Sequence, residues 1–230
     1  MKKNVLITGA SGNLGKASVE KFIAEGYHVI AIVSPGKASG FPVAGDRTIY
    51  EADLTNEAMT QEVISKIVSN HQTIDAALLL VGAYAPGNIN NTDGAALKKM
   101  FAVNFDTAYF MARPIFRQMI TQSSGGRIIF IGSRPVLKPA DGKHSLGYAL
   151  AKSLVFSLAD MLNAEGADKN VVSSVIVPST IDTPENRAGM PKADFSTWVK
   201  PEEIAEAMAF LASEKSNALR EPVVKMYGRA

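Results

Sequence analysis

Apolar residues along the chain fall in short runs bounded by turn residues, and between these runs they recur at helical spacing. Residues 5–8 read as a first strand. Residues 14–25 follow as a helix that Gly26 ends. Residues 27–33 form a second strand, apolar almost throughout and so expected to be covered on both faces. Residues 34–45, rich in Gly, Pro and Ser, read as a loop. A short strand over 48–50 leads to a helix capped by Thr55 or Asn56 and running to about Asn70. Residues 74–81 are a fourth strand and 82–91 a loop. Two helical pieces are expected over 93–104 and 105–120, the second kinked at Pro114. Residues 127–131 form a fifth strand after Gly125 and Gly126, and 132–145 a loop. A helix containing Tyr148 runs to about Gly166. A sixth strand over 171–177 is stopped by Pro178, and 179–199 is a long irregular segment. Residues 201–212 form a helix with Pro201 in its first turn, and 222–226 a last strand.

Strand and helix alternate throughout. That pattern predicts an α/β architecture: a three-layer, doubly wound Rossmann fold whose sheet is mainly parallel and has about seven strands. Ligands of such sheets bind beyond the C-terminal ends of the strands. There is no repeat or linker, so residues 1–230 read as one domain with a substrate loop at about 179–199.

Composition narrows the function. The chain is 47% hydrophobic and 20% charged, with net charge +2, and its Lys and Arg form no long block. Nucleic acid and anionic membranes are therefore not expected partners. The absence of cysteine excludes disulfides and thiolate chemistry and suits a cytoplasmic protein. The apolar run after Lys2 and Lys3 is too short for a signal peptide, and no stretch reaches transmembrane length. Three scattered His have no metal-ligand spacing, so no metal site is expected.

Four strand ends and one helix carry candidate chemistry. Gly9, Ser11, Gly12, Asn13, Leu14 and Gly15 lie between the first strand and first helix. Glycines there let backbone N–H groups approach a pyrophosphate, and the helix N-terminus adds partial positive charge. After the second strand no Asp or Glu occurs between Glu25 and Asp46. Ser34 and Lys37 would accept a 2′-phosphate, which favours NADP over NAD; Lys37 also reads as a solvated loop lysine. Asp53 and Leu54 follow the third strand, where Asp53 meets adenine or caps a helix. Gly82 and Ala83 close the fourth strand with small residues against which a ribose could lie. Tyr148 and Lys152 are four apart on one helix and so share a face. A phenol titrates near ~10, and a nearby cation lowers that value. The pair could thus exchange a proton at neutral pH, or be a solvated surface pair.

These residues, with Asn104, Ser133, Pro178 and Thr183, resemble the short-chain dehydrogenase/reductase family in order and spacing over nearly the whole chain. The resemblance implies an NAD(P)-dependent oxidoreductase acting on a small carbonyl or imine. It makes Tyr148 the acid/base and gives Lys152 the ribose hydroxyls and the Tyr148 pKa. Ser133 would hold the carbonyl oxygen, and Asn104 a water of a proton relay. Pro178, Ser179, Ile181 and Thr183 would lie along the nicotinamide. Plainer readings stand beside these: Asn104 as a helix kink, Ser133 as a turn residue, Thr183 as the start of the turn at Pro184.

Some features depart from the family pattern. Gly12 in the middle of the turn is commoner in the larger, extended members. Ser133 lies fifteen positions before Tyr148 (148 − 133), a stretched spacing that leaves Ser145 as an alternative hydroxyl. Residues 180–198 and the sequence Gly147-Tyr148-x-x-Ala151-Lys152 resemble dihydropteridine reductases, which typically lack the serine. A non-catalytic NAD(P)-binding sensor is the reading from another class. His144 reads as an exposed loop residue and Trp198 as packing. Arg187 reads equally as a ligand for an acidic substrate or as a loop anchor. The family usually pairs the two long helices at 105–120 and 145–166, implying a homodimer or homotetramer.

Overall fold

The computed structural model describes residues 2–39, 41 and 45–229. The loop expected at 34–45 includes positions 40 and 42–44, which lie outside the described residues. Seven strands form one sheet: β1 (Asn4–Thr8), β2 (His28–Val33), β3 (Arg47–Glu51), β4 (Ala76–Leu79), β5 (Gly126–Ile131), β6 (Val171–Pro178) and β7 (Val223–Met226). Their order is β3-β2-β1-β4-β5-β6-β7, and every pair is parallel. The chain runs outward from β1 to β3, then crosses back to β4. Thr8 lies opposite Ile32 on one side and Leu79 on the other, so three strands end together where the winding reverses.

The helices are α1 (Asn13–Ala24), α2 (Glu57–His71), α3 (Gly94–Phe101), α4 (Thr107–Met119), α5 (Arg134–Leu137), α6 (Pro139–Gly142), α7 (Leu146–Gly166), α8 (Pro184–Gly189) and α9 (Pro201–Ala212). Alternate strand residues feed two cores, because successive side chains point to opposite faces. Leu6, Ala77 and Leu79 pack with α2, α4 and α7. Val5, Ile7, Ala76 and Leu78 pack with α1 and α9. Both faces are covered, which is why the central strands read as continuous apolar runs. Ile115 of α4 is fully buried in the first core, and truncating such a side chain to Ala typically costs ~2–5 kcal/mol.

Two expectations are corrected. The helices expected at 93–104 and 105–120 are not separate pieces, since Ala102–Asp106 joins α3 to α4 as a turn of wide π-helix. The loop expected at 132–145 holds two single-turn helices, α5 and α6, each with proline in its first turn. Among the described residues no helix is long and apolar enough to cross a membrane, and no group of three or more His, Asp or Glu could hold a metal ion.

Candidate active site

The β1–α1 turn is shaped by its glycines. Gly9 has φ +63°, a left-handed conformation that favours glycine. Its carbonyl accepts from the Gly12 N–H at 3.0 Å, closing the turn. A Cβ on Gly15 would run into that same Gly9 carbonyl and meet Ala10 Cα at 2.7 Å. Gly12 caps α1 with no side-chain hydrogen bond, so the helix end offers its backbone N–H groups to an anion. Ser11 and Leu14 are half-buried around this turn. Asn13 reaches across it and donates from Nδ2 to Glu185 at 2.6 Å.

Beside the turn lies a cleft of about 310 Å³ lined by Gly9, Ser34, Ala52, Asp53, Leu54 and Val81, among others. Asp53 does not cap α2; Asn56 does, accepting from the Met59 N–H at 3.2 Å. Asp53 instead holds a local turn, accepting from the Thr55 N–H at 3.0 Å and hydroxyl at 2.7 Å. Lys37 is exposed, in a turn whose carbonyl partner is Ser34. The neighbouring Ala38 N–H donates to the Glu51 carboxylate at 2.8 Å. That backbone contact holds the Glu51 carboxyl below its usual range.

Asn104 lies in the π-helical turn, fully buried. Its Oδ1 accepts from the Ala83 N–H at 3.1 Å, and its Nδ2 donates to the Ala83 and Met100 carbonyls at 2.9 and 3.1 Å. It clamps the chain just beyond β4. A Cβ on Gly82 would come within 2.8 Å of Asn104 Oδ1 and 3.1 Å of Lys152 Nζ, so glycine lets both side chains converge there. Lys152 is buried, and its ammonium donates to the Ile131 carbonyl at 2.9 Å. Burial pushes its pKa down to about 8. The ammonium has three donors, and this bond uses one.

Ser133 follows β5 and heads α5 without using its hydroxyl as a cap. Its Oγ is buried and completes no well-formed hydrogen bond with any described group. It lies near enough to the Tyr148 hydroxyl to draw that phenol's pKa down, but burial dominates and pushes Tyr148 up to about 12. The expected lowering of the Tyr148 pKa by Lys152 is thus corrected for this structure. The ammonium is directed at Ile131, and the phenol's desolvation outweighs the neighbouring groups. The Tyr84 ring, 64% exposed, stands edge-on to Tyr148 with centroids 5.3 Å apart. Ser145, the alternative hydroxyl, is buried at the head of α7. There the Leu146 N–H donates to the Gly87 carbonyl at 2.8 Å, tying the loop after β4 to the Tyr148 helix.

The segment after β6 folds over the same end of the sheet. Pro178 closes β6, and the Ser179 hydroxyl donates to the Tyr227 carbonyl at 3.0 Å. Ile181 bridges to Val199, and its carbonyl accepts from Asn186 Nδ2 at 2.8 Å. Thr183 caps α8, its Oγ1 accepting from the Asn186 N–H at 3.2 Å. Arg187 is held by both oxygens of Asp182, at 2.5 and 2.7 Å, and lies over the Phe195 ring. The loop-anchor reading of Arg187 therefore prevails. Trp198 is buried against Phe195, and His144 is exposed.

The fold thus gathers Asn104, Gly82, Lys152, Ser133 and Tyr148 at the ends of β4 and β5. Gly9, Ser34, Asp53 and Leu54 line the neighbouring cleft at β1–β3, with the rest of the glycine turn following Gly9 into α1. Lys37 stands at the rim with its side chain exposed. Tyr84, Glu51, Arg134 and Glu185 were not marked by any sequence signal; each gains its place from a partner in another element.

Residues 3–193 match the family model described as short chain dehydrogenase. Over 99% of its length the chain is 27% identical to an oxidoreductase of Bacillus subtilis (strain 168), YmfI, covering 98% of that protein. It is 27% identical over 90% of its length to the dihydropteridine reductase of Dictyostelium discoideum, covering 87% of it. The solved structure of ElxO with NADP bound superposes with TM-score 0.90 at 25% identity, covering 99% of this chain and 98% of that one. With a family model spanning β1 through α8 and the glycine turn, Tyr148 and Lys152 all within it, the chain belongs to the short-chain dehydrogenase/reductase family.

Proposed function

We propose that the protein is an NADP-preferring reductase of a small carbonyl compound with Tyr148 as its acid. The observation that carries this reading is Ser133 Oγ: buried, without a well-formed bond, and beside the Tyr148 hydroxyl. A buried polar atom without a partner is costly, and a substrate carbonyl oxygen between the two hydroxyls would relieve it. The nucleotide fits as well. The β1–α1 turn is shaped for close backbone approach, the cleft beside it suits an adenosine, and Lys152 keeps donors for ribose hydroxyls. When bound, the nicotinamide supplies hydride at its C4. Ser133 and Tyr148 hold the substrate oxygen, and Tyr148 gives it the phenolic proton as the carbonyl carbon becomes an alcohol carbon. Asn104 fixes the chain at Gly82 and Ala83 that the ribose would rest on. Pro178, Ser179, Ile181 and Thr183 border the nicotinamide position. Ser34 and Lys37 support the choice of NADP. The exposed Tyr109, Leu150 and Met161 on α4 and α7 support pairing of these helices between two copies.

The test is reduced-cofactor oxidation with NADPH and NADH against aldehydes, ketones and a quinonoid dihydropterin. Turnover with a carbonyl is expected, falling ~10²–10⁴-fold in Tyr148→Phe while nucleotide binding persists. Inactivity with every acceptor despite tight nucleotide binding would favour the sensor reading. The likeness to dihydropteridine reductase supports a second reading, in which the pterin is the substrate. Activity confined to the pterin and indifferent to Ser133→Ala would select it.

A further inference from the structure

Arg134 follows Ser133 directly, and the added length between Ser133 and Tyr148 folds into α5 and α6 around it. Its guanidinium lies over the Tyr227 ring, 5.3 Å from the centroid. Tyr227 follows β7, and its carbonyl holds Ser179 after β6. Arg134 therefore spans the ends of β5 to β7, the half of the crevice away from the β1–β3 cleft. Its Nε is buried without a hydrogen bond, and none of its N–H groups donates to a described protein oxygen in a well-formed bond. Its one carboxylate neighbour among the described residues is Asp141 of α6, at 3.6 Å and half-exposed. That separation is too long for a hydrogen bond. Three other arginines are engaged: Arg187 is gripped twice by Asp182, Arg113 by Glu57, and Arg127 by two carbonyls and Asn217. Arg47 also has a buried Nε without a bond and lies over Phe41, but it opens β3, at the strand end opposite the crevice. A guanidinium presents five donors in a planar fork that matches a carboxylate. Leaving the buried Nε without a partner is unfavourable, and a bidentate anion reaching Nε and a neighbouring terminal N–H would satisfy it.

We infer that Arg134 binds the carboxylate of the substrate, so that the carbonyl compound is a small oxo acid. This rests on the proposed reductase reading, because Ser133 and Arg134 would then grip the two ends of one molecule. The stretched spacing gains a purpose: α5 and α6 bring a cation next to the carbonyl site, and Asp141 steadies it until the acid arrives.

The experiment compares pyruvate, acetoacetate and levulinate with their methyl esters, in two measurements. The first is kcat/KM for NADPH oxidation. The second is calorimetric binding of each acid or ester to the protein with oxidised NADP, which requires no turnover. At least one acid is expected to exceed its ester by roughly tenfold to a hundredfold in both. Arg134→Ala should bring the acid-to-ester ratio to near one, and Arg134→Lys should restore part of it. Equal binding of acid and ester by the wild-type protein overturns the inference, as does a ratio unchanged in Arg134→Ala. Carboxylate binding that depends on Arg134 without reduction of any acid or ester would uphold the inference and defeat the reductase reading. Reduction with no preference for acids would do the reverse.

Discussion

Asn104 and Ala83 exchange two hydrogen bonds: the Ala83 N–H donates to Oδ1 at 3.1 Å, and Nδ2 donates to the Ala83 carbonyl at 2.9 Å. A strand neighbour would make the same pair of bonds, so the side chain acts as one residue of an extra strand beyond β4. Only an amide offers both a donor and an acceptor in that plane. The π-helical turn carries this side chain to the strand end, and such turns are frequent at functional sites.

Asn104→Asp should therefore destabilise the protein more than its small change in shape suggests. The carboxylate keeps the bond from the Ala83 N–H but cannot donate to the Ala83 and Met100 carbonyls. It also places a charge in a fully buried site. The expected loss is ~2–4 kcal/mol at neutral pH, read from the urea midpoint at constant m. An unchanged midpoint would mean that the clamp carries no stability.

Lys152 makes stability depend on pH with a definite sign. Its folded pKa, about 8, lies below the usual 10.5. Between those values the unfolded chain holds the extra proton, so stability rises with pH there, on the order of 3 kcal/mol across the window. Tyr148 works the other way. Its folded value of about 12 lies above the usual 10.0, so between them the unfolded phenol ionises first and stability falls. Lys152→Met should abolish the rise and raise the neutral-pH midpoint, while removing activity. Denaturant melts of both proteins from neutral to strongly alkaline pH check this. Parallel curves would refute it.

Much of this was readable from residue pattern, and the remainder divides by range. β1, β2, β4, β5 and β6 announce themselves because both their faces are buried, leaving runs that no amphipathic helix would have. Tyr148 and Lys152 are a local pair, and helical periodicity alone sets them side by side. The join of α3 to α4 left no trace, since a π-turn inserts one residue's worth of extra width without altering composition. Single-turn α5 and α6 are too short to show a period. Arg134 looks like any loop cation until Tyr227, from the far end of the chain, is placed beneath it. The shift in the Tyr148 pKa was misread for a related reason: the cation is visible in sequence, whereas the amount of protein around the phenol is not.

Cofactor choice can be tested at the β2 end. Ser34 lines the cleft and Lys37 is exposed beside it, whereas Glu51 is occupied by the Ala38 N–H. Lys37→Ala should weaken NADPH about threefold to tenfold, the range of an exposed ion contact, and leave NADH unaffected. Fluorescence titration of both nucleotides decides it. Equal losses for the two would remove Lys37 from the 2′-phosphate.

Glu185 sets a carboxylate at the rim of the phosphate turn, 2.6 Å from Asn13 Nδ2. Its own backbone N–H, Asn13, Thr183 and Lys16 all favour the ionised form, holding its pKa below the usual range, so it is negative at neutral pH. A pyrophosphate seated on the α1 N-terminus would face that charge. It would also compete with it for Asn13. Neutralising the carboxylate while keeping its shape should relieve the repulsion. Glu185→Gln is expected to bind NADPH about twofold to fivefold more tightly at low salt, with the gain shrinking at high salt as the charges are screened. Calorimetric titration at the two salt concentrations separates this from a steric effect, which would not depend on salt. Weaker binding by Glu185→Gln would assign the carboxylate the opposite role: holding Asn13 in the position the nucleotide needs.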